Sequence, residues 1–151
     1  GLQRELRPKN GEIYQILMLL KIEHLGIAVD NLEESIPIYE ALLNTPCYKK
    51  ELVASEGVMA AFFQVGPNKI ELLEASNPDS PIAKFLATKG KGFHHVAFQT
   101  DNIEQEIERL IGQGFTLIHQ TPKEGADRQM IAFLHPKSSD KLLVEICQEK
   151  H

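Results

Sequence analysis

The sequence is short of cysteine, of long hydrophobic runs and of positive charge, and each shortage argues against a class of protein. Two cysteines, Cys47 and Cys147, occur in 151 residues without a pairing pattern, which favours a reducing, cytoplasmic location over a disulfide-linked secreted domain. The uncharged run at residues 13–20 is far shorter than the roughly 20 residues that span a bilayer, so no membrane segment is predicted. A net charge of -5 without a basic stripe argues against a nucleic-acid-binding surface. No GxGxxG, P-loop or nucleophile-elbow pattern occurs either.

The length of the chain fits one domain with one sizeable core, and the first twenty residues stand before it. We predict that residues 1–20 form an N-terminal extension. Basic residues followed by an uncharged run resemble a signal peptide, but no small-residue cleavage site precedes the first predicted strand. Two interpretations stay open: Met18 is the natural start, or residues 1–17 form a loosely held arm.

What the chain does contain is an internal repeat, and a repeat determines architecture. Residues 22–33 and 93–104 are two copies of one pattern, 71 positions apart, in which His24 corresponds to His95. A second pair of segments, residues 69–73 and 143–147, lies 74 positions apart and matches Glu71 with Glu145. Each half therefore opens with a strand that carries a histidine and closes with a strand that carries a glutamate.

Alternating hydrophobic residues and turn signals predict an α+β domain at residues 21–148, built from two tandem β-α-β-β-β modules. The first module (21–75) has predicted strands at 21–29, 48–53, 58–65 and 69–74, and a helix capped by Asn31. A linker helix is predicted at 78–90. The second module (92–148) has predicted strands at 93–100, 115–120, 129–134 and 142–148, with a mobile polar loop at 121–128. Its helix is capped by Asn102, and the residues expected to face the core are Ile103, Ile107, Leu110 and Ile111.

Side chains alternate between the two faces of a strand, so the repeat selects one histidine in each half. His24 shares its face with Gly26 and Ala28, and such small neighbours leave room for a ligand beside the imidazole. The repeat selects His95 in the second half. The same alternation predicts that His94 points away from the site.

Glu71 and Glu145 lie in apolar strands, where a carboxylate is costly to bury without a partner charge. A lone histidine or glutamate in a strand is more often an ordinary core or surface residue. The symmetric set of four is what predicts a site, because two imidazoles and two carboxylates suit one divalent transition metal if the modules pack face to face. His119 and His135 break the symmetry and are expected in core or loop positions.

The paired modules, with a histidine on each first strand and an acid on each last strand, resemble the vicinal oxygen chelate superfamily, which has the glyoxalase fold. Within it, residues 21–148 are similar to the methylmalonyl-CoA epimerase family. The segments that carry the similarity are His24-Leu-Gly-Ile-Ala-Val, Lys69-Ile-Glu-Leu-Leu, Ser80-Pro-Ile-Ala-Lys-Phe-Leu, Gly92-Phe-His-His-Val-Ala, Phe133-Leu-His-Pro-Lys and Leu143-Val-Glu. The resemblance implies a curved mixed sheet around a metal site, and a homodimer.

The resemblance also implies a ligand set and a reaction. One divalent ion (cobalt, manganese, zinc or nickel) would be held by His24, His95 and Glu145, with Glu71 at a fourth position that is Gln in some relatives. The implied substrate is an acyl-CoA: C2 of methylmalonyl-CoA is inverted between its 2R and 2S forms through an enolate that the metal stabilises.

Epimerisation needs one group that removes the C2 proton and another that returns a proton on the opposite face. We predict Glu145 as one proton carrier, Glu71 as its nearest partner and Glu56 as a third choice. The third choice is kept because Ala60 stands where some relatives carry a second catalytic glutamate.

Three other functions share parts of this pattern. A lyase of the glyoxalase I kind would use the same ligands on glutathione adducts. An iron-dependent ring-cleaving dioxygenase needs two histidines and one carboxylate, which this chain also has. A small-ligand sequestration protein of the antibiotic-binding kind is the non-enzymatic alternative, although such relatives often lack the metal residues that are present here.

Overall fold

The structure is a computed structural model that describes residues 5–6, 14–15 and 19–150. In the N-terminal extension, β1 (Glu5–Leu6) and β2 (Tyr14–Gln15) pair antiparallel. The two interpretations of this extension, a start at Met18 or a loosely held arm at residues 1–17, concern mostly residues outside the described ranges.

The remaining elements follow the repeat in chain order. The first module contains β3 (Lys21–Ala28), α1 (Leu32–Leu43), β4 (Lys49–Val53), a 3₁₀ turn (Ala54–Glu56), β5 (Val58–Val65) and β6 (Asn68–Ala75). Helix α2 (Pro81–Lys89) links the modules. The second module contains β7 (Gly92–Gln99), α3 (Ile103–Gly112), β8 (Lys123–Glu124), β9 (Gln129–Phe133) and β10 (Val144–Glu149).

Eight of these strands form one curved mixed sheet in the order β4-β5-β6-β3-β7-β10-β9-β8. The order is symmetric about the antiparallel pair β3–β7, and each of these two strands runs parallel to the last strand of its own module. The histidine-bearing strands therefore lie side by side at the centre, flanked by the glutamate-bearing strands β6 and β10. This topology confirms the predicted fold and brings the four candidate residues into adjacent strands.

Helices α1 and α3 are capped and docked in matching ways. Asn31 accepts a hydrogen bond from the backbone N–H of Glu34 at 3.2 Å, and Asn102 accepts one from that of Gln105 at 3.1 Å. Both predicted caps are thus confirmed. Each module also uses a side chain from its last strand to accept the first free N–H of its helix, Glu74 for α1 and Gln148 for α3.

The two faces of the sheet carry separate hydrophobic clusters. Residues of β10 alternate: Val144 and Ile146 pack with α3 in one core cluster, while Cys147 lies with Ala97 and Ile131 in another. Glu145 falls on the face of Cys147, as the predicted alternation requires. The two long helices cover one face of the sheet, and the other face is left to the candidate site.

Three predictions about the elements need correction. The linker helix begins at Pro81 rather than at residue 78, because the Ser80 hydroxyl caps it through the Ala83 N–H at 3.1 Å and proline suits the first helical position. Ile111 does not face the core: it is 49% exposed, at the edge of a stripe that runs through Ile107 and Leu110.

The third correction concerns residues 115–120, which form no strand but only an isolated bridge between Leu117 and Leu134. Leu117 is buried in the cluster beneath α3, so its apolar side chain belongs to the core and does not indicate a strand.

The sheet edge that corresponds to β4 is occupied by β8, which lies inside the stretch at 121–128 that was predicted as a mobile loop. In that stretch Asp127 is bonded to the first module, which ties the loop to the body of the protein.

The three helices have 12, 9 and 10 residues, and none in the described part of the chain has the length and apolar character needed to cross a bilayer.

Candidate active site

The four residues that the repeat selects meet on the open face of the sheet. His24 Nε2 and His95 Nε2 are 3.0 Å apart. Glu71 Oε2 lies 3.2 Å from His24 Nε2, and Glu145 places one oxygen 3.5 Å from each imidazole nitrogen. All four side chains are buried. His24, His95 and Glu145 each offer a ligand atom within 4.8 Å of the other two, and Glu71 joins them through its contact with His24.

Gly26 on β3 makes this convergence possible. It pairs with His95 on β7, and the imidazole ring of His95 lies directly over it. A Cβ atom at residue 26 would be 2.1 Å from His95 Cε1 and 2.3 Å from Nδ1, far inside van der Waals contact. The glycine is therefore required by the space that the ring fills.

Replacing Gly26 by alanine is expected to displace the His95 ring and to weaken divalent-metal binding while the sheet still forms. Gly112→Ala is the matched control, because a Cβ there meets no atom within 4 Å. The two variants are compared by metal titration and by thermal unfolding. Unchanged metal affinity in the Gly26 variant would contradict the assignment of His95 to the site.

The prediction that His94 points away from the site is wrong. Gly26 pairs with His95 but Ile27 pairs with Phe93, so His94 is the extra residue of a β-bulge. A bulge breaks the two-residue alternation of a strand and redirects a side chain. His94 consequently lines the same cavity as His95, and its Nδ1 lies 2.9 Å from His95 Nδ1.

Glu23 is a member of the site that sequence reasoning missed. It lies in the matching register shift of β3, between Ile22 and His24. Its Oε1 is 2.7 Å from His24 Nδ1, and its Oε2 is 3.0 Å from Lys69 Nζ. Glu23 corresponds to His94 in the repeat. A polar residue just before each of the two selected histidines is the sequence signal that could have identified Glu23 as part of the site.

Burial and charge shift the pKa values of the site in opposite directions. Burial lowers the pKa of His24, but the negative charges of Glu71 and Glu145 outweigh burial and raise this pKa to about 10. Burial raises the pKa of Glu145 to about 8 and raises that of Glu71 as well. Burial also holds the pKa of His95 well below its ordinary value. The site therefore attracts positive charge to the point where the two imidazoles and two carboxylates face one another.

The donor atoms fit a divalent metal. An ionised Glu23 can only accept a hydrogen bond, so His24 Nδ1 donates to it, and the nitrogen left to exchange its proton for a metal ion is Nε2, which faces the site. Glu145 Oε2 is buried without a hydrogen-bond partner in the described part of the chain. Two bonds of about 2.1 Å at a right angle separate their donor atoms by about 3.0 Å, the distance between the two Nε2 atoms.

A small cavity of about 70 Å³ opens next to the donor cluster. Its polar lining consists of Glu56, Glu71, His94, His95 and Glu145. Its apolar lining consists of Val53, Val58, Leu73, Pro81, Ile82, Ala126, Ile131 and Phe133. Ala60 is fully buried in β5, whereas Glu56, in the turn before that strand, reaches the cavity.

Known proteins share this sequence and fold. Residues 23–133 match the model of the glyoxalase/bleomycin resistance protein/dioxygenase superfamily. An uncharacterised Bacillus subtilis protein, YqjC, is 37% identical over 86% of this chain and 93% of its own length. The mitochondrial methylmalonyl-CoA epimerase of Dictyostelium discoideum is 33% identical over 91% of this chain and 84% of that protein.

The structures agree with the sequences. Streptomyces coelicolor methylmalonyl-CoA epimerase, solved in complex with 2-nitronate-propionyl-CoA, superposes with a TM-score of 0.84 at 29% identity, over 87% of this chain and 96% of that one. The superfamily match covers most of the chain, and the chain covers most of its epimerase relative. This chain therefore belongs to the glyoxalase/bleomycin resistance protein/dioxygenase superfamily and, within it, to the methylmalonyl-CoA epimerase family.

Proposed function

We propose that this chain interconverts the 2R and 2S forms of methylmalonyl-CoA by removing and returning the proton on C2. The observation that carries the proposal is the convergence of two imidazoles and two carboxylates, one of each from each module, beside a cavity that reaches the donor cluster. The C2 proton lies between a thioester and a carboxylate, and its removal calls for cationic stabilisation of oxygen together with a positioned base.

The metal site is part of the proposal. His24, His95 and Glu145 would hold one divalent ion, with Glu71 as the fourth ligand, and cobalt, manganese, zinc or nickel suits this donor set. When bound, such an ion supplies Lewis-acid polarisation of the substrate oxygens.

The protein's own contribution is to bind the acyl group and to exclude water from C2. Val58, Leu73 and Ile82 line one part of the cavity with apolar surface that fits a short acyl branch. The relative from Streptomyces coelicolor was solved in complex with 2-nitronate-propionyl-CoA, which supports an acyl-CoA ligand here.

Glu145 and Glu71 are the proposed proton carriers. Burial raises the pKa of Glu145 to about 8, so this carboxyl is suited to take up and release a proton near neutral pH, and burial raises the pKa of Glu71 as well. Both also contact the imidazole nitrogen of His24, and coordination to a metal makes a carboxylate a weaker base. A carboxylate that held the ion would therefore act as a proton carrier only while it was free of it.

Glu56 is the alternative second carrier, because it reaches the cavity from outside the donor cluster. Its Oε1 lies 2.5 Å from Lys123 Nζ on β8, an ion pair that joins the first module to the second. A carboxylate at this place has no ligand role to abandon before it takes a proton.

The test is exchange of the C2 proton of each methylmalonyl-CoA stereoisomer in deuterated water, with and without chelator. We expect both isomers to exchange and the exchange to stop when the metal is removed and return when it is restored. A glutathione–methylglyoxal adduct is the control substrate: isomerisation of that adduct without exchange on methylmalonyl-CoA would favour a lyase of the glyoxalase I kind.

Two further expectations stay predictions. They are the division of the chain into an extension at residues 1–20 and a single domain at 21–148, and the assembly of that domain as a homodimer.

A further inference from the structure

Each candidate ligand histidine follows a bulged residue whose side chain meets its Nδ1 atom. Glu23 does this for His24 at 2.7 Å and His94 does it for His95 at 2.9 Å. Both residues fall at register shifts in the central pair β3–β7. Bulges re-aim side chains next to functional sites, and here the two bulges place a polar group behind each imidazole.

The two supporting groups differ in charge. Glu23 is a carboxylate that is 3% exposed, and it is held by Lys69 Nζ at 3.0 Å through its second oxygen. Lys69 lies opposite His24 in the parallel pair β3–β6, so the Lys69 side chain is close enough to reach Glu23, the residue before that histidine. The carboxylate of Glu23 therefore bridges the imidazole of His24 and the ammonium group of Lys69.

Lys69 is held in turn by Asp127 of the second module, whose Oδ2 lies 2.8 Å from its Nζ. Asp127 also accepts hydrogen bonds from the Tyr48 hydroxyl at 2.7 Å and from Lys49 Nζ at 3.3 Å, and its own N–H donates to Glu51 at 3.0 Å. These contacts hold a turn in which Asp127 has a φ of 53° and Arg128 a φ of 61°. The residue just before that turn position, Ala126, is part of the cavity wall.

We propose that Glu23 is a positioning residue for His24, and that Lys69 and Asp127 keep its carboxylate in place. Glu23 accepts the Nδ1 hydrogen of His24, which fixes the plane of the ring and presents Nε2 to the donor cluster. Because Lys69 and Asp127 continue the contact to the turn that carries Ala126, one wall of the cavity is joined to one metal ligand. The inference rests on the proposed metal site and adds to it the residues that orient His24.

A purely structural ion pair would predict something different. Removing the charge of Glu23 would then lower the melting temperature and leave the affinity of the intact site for metal unchanged. A positioning role predicts a loss of metal affinity of about 10–100-fold, the usual effect of changing an outer partner of a ligating histidine.

The test compares Glu23→Gln with Glu124→Gln, which removes a carboxylate from an exposed ion pair with Lys150 that touches no histidine. Affinity for Co²⁺ is measured by titration. The hydrogen-bonded Nδ1 proton of His24 is followed by NMR in the metal-free chain and assigned by its absence from His24→Asn. We expect Glu23→Gln to bind Co²⁺ about 10–100-fold more weakly and to move or broaden that resonance, while Glu124→Gln matches the parent.

If either the Co²⁺ affinity or the Nδ1 resonance of Glu23→Gln equals that of the parent, the proposal is overturned. Should that variant not fold, Asp127→Asn takes its place, since asparagine tolerates the left-handed backbone of residue 127. It is expected to speed solvent exchange of the Nδ1 proton and to weaken Co²⁺ binding, and no change in either would equally overturn the proposal. Failure of the parent chain to bind Co²⁺ is a separate result that sinks the proposed function, because the NMR signal reports on Glu23 without any ion.

Discussion

His95→Ala is expected to abolish divalent-metal binding and, with it, exchange of the C2 proton of methylmalonyl-CoA. The His95 Nε2 lies 3.0 Å from that of His24 and 3.5 Å from Glu145, so its loss removes one of two nitrogen donors and a partner of a buried carboxylate. Burial keeps the pKa of His95 well below its ordinary value, so the ring is neutral at pH 7 and its lone pair is available without loss of a proton. Metal content after dialysis and exchange rate are the two measurements.

His94→Ala is the neighbouring control for that experiment. His94 meets His95 Nδ1 from behind and is not one of the four donors, so the variant should keep its metal, with an affinity lower by about 10–100-fold. Equal and complete loss of metal from both variants would show that the repeat chose the wrong histidine. Thermal unfolding of each protein separates loss of the site from loss of the fold.

Glu145→Gln is expected to lower turnover by about 10²–10⁴-fold, the range for loss of a general acid–base group, with a smaller change in KM. The amide has nearly the shape of the carboxylate but cannot accept the C2 proton. It is also a poorer ligand, so metal content must be measured on the same sample. A fully metal-loaded variant that exchanges the C2 proton of both stereoisomers at the parent rate would remove Glu145 from the mechanism.

Glu71→Gln gives the comparison that identifies the second carrier. Glutamine stands at this position in some relatives, so the variant should retain metal. If Glu71 carries a proton, exchange should collapse for one stereoisomer only, because each acid serves one face of C2. If both isomers still exchange, Glu56→Gln is the next variant, and collapse for one isomer there would assign the role to the carboxylate beside Lys123.

The repeat predicted much of the site because a strand's period of two is a strong constraint. His24, His95, Glu71 and Glu145 all lie where that period and the two offsets place them. The same period failed at His94, since a bulge adds one residue and reverses the alternation. No local propensity in Gly-Phe-His-His marks the bulge, which lies next to the point where the His95 ring packs over Gly26 of the neighbouring strand.

Contacts between distant parts of the chain could not be predicted from the sequence, because no local pattern marks them. Asp127 in a polar stretch gives no sign of its partners Lys69 and Tyr48, which are 58 and 79 residues away. The polar composition of this stretch predicts a mobile loop, whereas in the structure the carboxylate of Asp127 anchors it. Leu117 likewise has the pattern of a strand residue, and only the position of α3 shows that its burial comes from helix packing.

The symmetry of the sheet has a consequence for the ancestry of this chain. Each module supplies one imidazole and one carboxylate, and the modules meet at two equivalent central strands. Two identical copies of a half-length polypeptide, related by a twofold axis, would already bring together all four donors. Duplication and fusion of such a unit then frees its two copies to differ. One module has an anion behind its histidine, Glu23, and the other has a neutral ring, His94, so the two sides of this otherwise symmetric centre differ in charge.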